Sequence, residues 1–108
     1  MHDRPTVLWQ LRLRPVGSGS DAPIRVALSW SRSNPLEVWL EFPDAGVYWV
    51  VARELLAQGL AGPAGLGDVT LLPDLHDPRW LELILSSPDG VVGLRLPAAE
   101  LTEFLRAT

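Results

Sequence analysis

Apolar and polar residues alternate along most of the first half of this chain, and the alternation lays out its elements. In Val7–Arg14 the odd positions Val7, Trp9, Leu11 and Leu13 are apolar while Gln10, Arg12 and Arg14 are polar, the period-two signature of a half-buried strand. After the turn-rich Gly17-Ser18-Gly19-Ser20-Asp21 segment, Ile24, Val26, Leu28 and Trp30 alternate with Arg25, Ala27 and Ser29 and predict a second strand. Ser31 to Pro35 predicts a turn. Leu36, Val38, Leu40 and Phe42 then predict a third strand whose other face carries Glu37, Trp39 and Glu41. Pro43-Asp44-Ala45-Gly46 has the composition of a tight turn and predicts a hairpin into Val47–Val51. That fourth strand is apolar on both faces, which places it centrally, or under a helix or a neighbouring subunit.

The period then lengthens. Ala52, Leu55, Leu56 and Leu60 fall on one helical stripe, with Arg53, Glu54, Ala57 and Gln58 outward and Gly59 as the C-terminal stop. A glycine-punctuated loop leads to a short strand at Asp68–Leu72, and Pro73–Arg79 reads as a polar loop. Leu81, Leu83 and Leu85 share the face of a strand that Ser87-Pro88-Asp89-Gly90 turns back into Val91–Leu96. Pro97 fits the first turn of a final helix with the stripe Leu101, Phe104 and Leu105. The predicted fold is α+β, a mainly antiparallel sheet in the order four strands, helix, three strands, helix. VVARELL and LRLPAAEL, each a strand running into a helix, hint at a duplicated architecture.

With 108 residues, 47% of them hydrophobic, there is enough chain for one domain and one core, residues 1–108. No apolar run reaches the roughly 18 residues of a membrane span, and MHDRPTVLWQ does not read as a leader, so a cytoplasmic protein without membrane insertion is expected. The absence of cysteine removes disulfide and thiolate chemistry. A net charge of −4 makes nucleic acid an unfavoured partner. All nine basic residues are arginine, in keeping with a GC-rich coding bias in a chain also rich in alanine, glycine and proline.

Candidate chemistry is sparse. His76 lies between Asp74 and Asp77, but the trio sits in a proline-bounded loop and the other histidine is His2, near the terminus, so neither a metal site nor an acid–base pair is assigned. Gly62, Gly65 and Gly67 lack the lysine and hydroxyl of a phosphate loop and are read as turn glycines. No catalytic residue and no cofactor or metal ligand is assigned. Arg12, Arg14, Arg25 and Arg95 are placed on the outer sheet face with Glu37, Glu41 and Glu82, where cross-strand charge pairing is favoured over a nucleic-acid track. Trp39, Trp80 and Ile84 fall on the polar side of their strands and are the candidate partner or oligomer contacts.

The ordered set Asn34-Pro35-Leu36-Glu37-Val38, Trp49-Val50-Val51-Ala52-Arg53-Glu54-Leu55-Leu56, Gly59-Leu60, Gly67-Asp68-Val69, Leu85-Ser86-Ser87-Pro88-Asp89-Gly90, Phe104-Leu105 and Thr108 resembles the SsgA-like family of actinomycete sporulation and cell-division proteins. It departs at Leu36, where the family has an aromatic, and at Asn34, where it has aspartate. SsgB-like members carry a further polar tail beyond the position of Thr108, so a contact made through that tail is expected to be missing. The resemblance implies a non-enzymatic regulator of septum-site selection, an adaptor that helps localise or assemble the division GTPase FtsZ at the septum. It also implies a whirly-like fold assembled as a trimer, with FtsZ or another SsgA-like protein as partner. The alternative on fold analogy is single-stranded nucleic-acid binding.

Overall fold

The computed structural model describes residues 4–17, 19 and 22–108; His2 and part of the Gly17–Asp21 turn lie outside the described residues. Among these, the chain forms β1 (Val7–Val16), β2 (Ile24–Ser31), β3 (Asn34–Phe42), β4 (Val47–Ala52), α1 (Arg53–Ala61), β5 (Ala64–Leu66), β6 (Val69–Pro73), β7 (Trp80–Ser87), β8 (Gly90–Pro97) and α2 (Ala98–Ala107). The strands form one antiparallel sheet in the order β4-β3-β2-β1-β8-β7-β6-β5. β1 joins two half-sheets: residues 7–13 pair with β2, and residues 14–16 pair with β8. The α+β class and the antiparallel sheet agree with the sequence pattern.

The strand count in the second half does not. β5 is a fourth strand there, so four strands and a helix are followed by four strands and a helix. Its three residues, AGL, are too few to show a period, and Gly67 at φ 62° makes the turn that folds it onto β6.

Alternation sorts the side chains cleanly. Leu11, Leu13, Val26, Leu28, Val38, Leu40 and Val51 of the first half, and Leu71, Leu81, Leu83, Leu85, Leu94 and Leu96 of the second, are buried on one face. Both helices cover that face, α1 packing on β3, β4, β5 and β6 and α2 on β1 and β8. From α2, Leu101, Phe104 and Leu105 enter the core as the stripe predicts; from α1, Leu55 and Leu56 do. Ala52 is the exposed residue before α1 and no part of its stripe. Gly59 is not the helix stop either. It is buried within α1, where a Cβ would lie 2.5 Å from Leu71 Cδ2, and the helix ends at Gly62 instead.

β4, expected centrally or under a helix or a neighbouring subunit, is an edge strand against which α1 packs. Its apolar inner face is explained by Val51 under the helices, whereas Tyr48 and Val50 on the outer face remain exposed. Periodicity reports how many faces of a strand are apolar; it does not say whether the second face is covered by the same chain.

Candidate contact surface

The outer face of the sheet, opposite the helices, carries the candidate residues. In the first half the cross-strand register sets Leu8, Ser29, Trp39 and Val50 in one row, and Gln10, Ala27, Glu41 and Tyr48 in the next. Trp39 is half-buried and stacks on Tyr48, with ring centroids 4.8 Å apart and planes at 23°. Around this pair Leu8 is 54%, Tyr48 60% and Val50 38% exposed, an apolar group on an otherwise polar face. Ser29, at the bulge between β2 and β3, is buried there with an unpaired hydroxyl.

In the second half the rows are Leu72, Glu82, Arg95 and Arg14, then Thr70, Ile84, Gly93 and Val16. Trp80 is half-buried under the Arg95 guanidinium, whose Cζ lies 4.8 Å from the ring centroid, a cation–π contact. Ile84 stands half-buried four residues along the same face of β7.

Thus Trp80 and Ile84 lie on one face of β7 with Glu82 between them, and Trp39 does not join them. β2, β1 and β8 separate them, about 19 Å along the sheet at the usual strand spacing. Leu8, Tyr48 and Val50 were missed by sequence reasoning. Their signal was the doubly apolar β4, whose second face the pattern assigns to a central position, a helix or a neighbouring subunit without choosing among them.

A second apolar region opens on the helix-bearing face. Ile24, Phe42, Val47, Trp49, Val92 and Leu94 line a cleft of about 580 Å³, with the Arg25–Asp44 pair at its edge.

Among the described residues, two of the four outer-face arginines pair with turn aspartates where pairing with sheet glutamates was expected. Arg25 Nη2 lies 2.6 Å from Asp44 Oδ1, and Arg95 Nη2 lies 3.6 Å from Asp74 Oδ2. A turn carboxylate can swing over the sheet edge, so strand alternation does not reveal it.

The Asp74–Arg79 loop is held by its own polar groups. Asp74 Oδ1 accepts from the backbone N–H of His76 at 2.8 Å and of Asp77 at 3.1 Å, which lowers the Asp74 pKa. Arg79 donates from Nε and Nη2 to the two oxygens of Asp77, holding that carboxyl down at about 2 against its ordinary 3.8. Because the folded value lies below the unfolded one, this contact is fully present above the ordinary carboxylate pKa and is lost as pH falls toward about 2. In an NMR titration Asp77 is expected to show a midpoint near 2, and Arg79→Ala to move it toward 3.8. A midpoint unmoved by that substitution would contradict the assignment. His76 is exposed, and no cluster able to hold a metal occurs among the described residues.

A comparison with known families matches residues 24–108 to the family described as "Streptomyces sporulation and cell division protein, SsgA". The chain belongs to the SsgA family. Among relatives, it is 43% identical to the sporulation-specific cell division protein SsgB of Saccharopolyspora erythraea over 80% of this chain and 63% of that protein. It is 39% identical to SsgB of Streptomyces coelicolor, over 95% and 79%. The chain thus spans between three fifths and four fifths of the length of these relatives. Two solved structures share the fold. One comes from work on SsgB mutations and longitudinal cell division during sporulation of Streptomyces coelicolor, with TM-score 0.83, 37% identity and coverage of 93% and 83%. The other is an SsgA-like sporulation-specific cell division protein from Thermobifida fusca, with TM-score 0.79, 29% identity and coverage of 98% and 82%.

Two residues of the SsgA-like pattern meet across the helices. Arg53 was expected to face outward; instead its Nε donates to Thr108 Oγ1 at 2.7 Å and its Nη2 to the Leu105 carbonyl at 3.1 Å. Thr108 Oγ1 in turn donates to that carbonyl at 2.6 Å, so the start of α1 is tied to the end of α2. Arg53→Met is expected to lower stability by about 1–3 kcal/mol, measured by urea unfolding. A change within error would show that the network contributes nothing net.

Proposed function

We propose that this protein is a non-enzymatic regulator of cell division and sporulation septation, a cytoplasmic homo-oligomeric adaptor that helps localise or assemble FtsZ at the division septum. Membership of the SsgA family carries the reading, since its relatives are named sporulation-specific cell division proteins. The outer face supports a mode of action through surfaces: Trp39 with Leu8, Tyr48 and Val50, and Trp80 with Ile84, are aromatic and aliphatic groups of the kind that anchor protein contacts. On this reading the protein is a trimer in which neighbouring copies contact Trp39, Trp80 or Ile84. No helix among the described residues is long and apolar enough to cross a membrane.

Two measurements test it. Co-sedimentation with polymerising FtsZ is expected to show the protein in the pellet and a rising polymer yield. Light scattering is expected to give a multiple of 11.9 kDa for the native chain, and the mass of a folded monomer for Trp39→Glu or Ile84→Glu. An unchanged mass in both variants removes those positions from the interface.

A further inference from the structure

Two pairs of arginines face each other directly across the middle of the outer sheet face. Arg12 of β1 is opposite Arg25 of β2, and Arg14 of β1 is opposite Arg95 of β8. Like charges directly opposite one another in neighbouring strands weaken a sheet. Asp44 and Asp74 offset the outer two, Arg25 and Arg95. Arg12 and Arg14 are exposed and have no ion pair among the described residues. Folding alone gives no reason to keep two uncompensated guanidiniums at the centre of this face in a chain whose net charge is −4.

A groove of about 810 Å³ is lined by Leu8, Gln10, Arg12, Arg25, Glu41 and Tyr48 among others, and Arg14 is the next outward position of β1 beyond Arg12. Leu8, Gln10 and Arg12 are successive outward positions of β1. The groove therefore passes from apolar through neutral polar to cationic over about 14 Å of strand. Arginine forks suit carboxylates, which they bind bidentately. Leu8 and the Tyr48 ring offer an apolar seat at the other end.

We propose that this groove binds an extended acidic segment of another protein. Its carboxylates engage Arg12, Arg14 and the exposed side of Arg25, and an apolar side chain a few residues away packs on Leu8 and Tyr48. A second copy seated in this groove by its own groove would bring arginine against arginine. A polynucleotide, charged at every phosphate, would find on this face only Arg12 and Arg14 without an ion pair among the described residues, in a chain of net charge −4. The inference goes beyond the division role and stands without it.

The test is fluorescence anisotropy at low ionic strength, with the full chain and a labelled peptide of alternating glutamate and leucine as probe. The native protein is expected to bind with an affinity that falls as salt is added. Arg12→Thr and Arg14→Thr are each expected to weaken binding by about tenfold, a loss of one bidentate contact. Their thermal stability is expected to be equal to the native value or higher, because each removes a like-charge pair. Arg79→Thr, in the Asp74–Arg79 loop and paired with Asp77, is expected to bind as the native chain does. An unchanged solution mass in the arginine variants keeps the result separate from the oligomer interface. Absence of peptide binding overturns the proposal, as does equal binding by the Arg12 and Arg14 variants. Tighter binding of labelled single-stranded oligothymidylate than of the peptide overturns it as well.

Discussion

Phe104→Ala is expected to lower the unfolding free energy by about 3–5 kcal/mol, the range for deleting a fully buried phenylalanine. Phe104 is 0% exposed and lies on the apolar stripe of α2 with Leu101 and Leu105. That stripe seats α2 against β1 and β8, where the two half-sheets join, so the cavity would open at the junction of the fold. Because a domain of this size has only about 5–15 kcal/mol to lose, the variant is expected to be marginal at best. Denaturant unfolding would report the change as a lower midpoint with an unchanged slope. Arg106→Ala serves as the control. It removes a surface pair with Glu103 one turn away and is expected to stay within about 0.5 kcal/mol of the native chain. Equal stability of Phe104→Ala and Arg106→Ala would mean that α2 does not seal the core.

Gly59→Ala is expected to destabilise by about 1–3 kcal/mol, although alanine is the better helix former by about 1 kcal/mol. The new methyl group would sit 2.5, 2.6 and 2.9 Å from three side-chain atoms of Leu71. Leu71 is itself completely buried, on the strand against which α1 packs. Helix and strand must separate or Leu71 must leave its rotamer, and either outweighs the gain in helix propensity. Gly62→Ala is the matched control: nothing lies within 4 Å of its Cβ position, and a near-neutral effect is expected. Thermal unfolding of the pair distinguishes close packing from propensity. If Gly59→Ala melts above the native chain, α1 does not approach β6 as closely as described.

Gly59 also shows where sequence reasoning stops. A glycine after an apolar helical stripe reads as a stop, and only the proximity of Leu71, twelve residues on, reveals it as the point of closest approach between helix and sheet. The local pattern sufficed for β1, β2, β3, the hairpins at Asp44 and Asp89, and α2, because each has a clear period or turn sequence. It could not reveal β5, whose three residues gain strand form from pairing with β6. Nor could it show that Arg53 reaches Thr108, since 55 residues separate them in sequence. The candidate surface was half legible. Trp39, Trp80 and Ile84 announce themselves by breaking the polar alternation. That β4 lies at the edge, leaving Tyr48 and Val50 open beside Trp39, depends on strand order, which no local pattern encodes.

The proposal that this SsgA-family chain acts on the division machinery through its surface is tested most directly by co-sedimentation with polymerising FtsZ, comparing the native chain with Trp39→Glu across a concentration series. The native protein is expected to enter the pellet and to raise polymer yield or bundling, and the variant to remain folded and do neither. No change in polymer yield or bundling with the native chain at any concentration would contradict direct action on FtsZ.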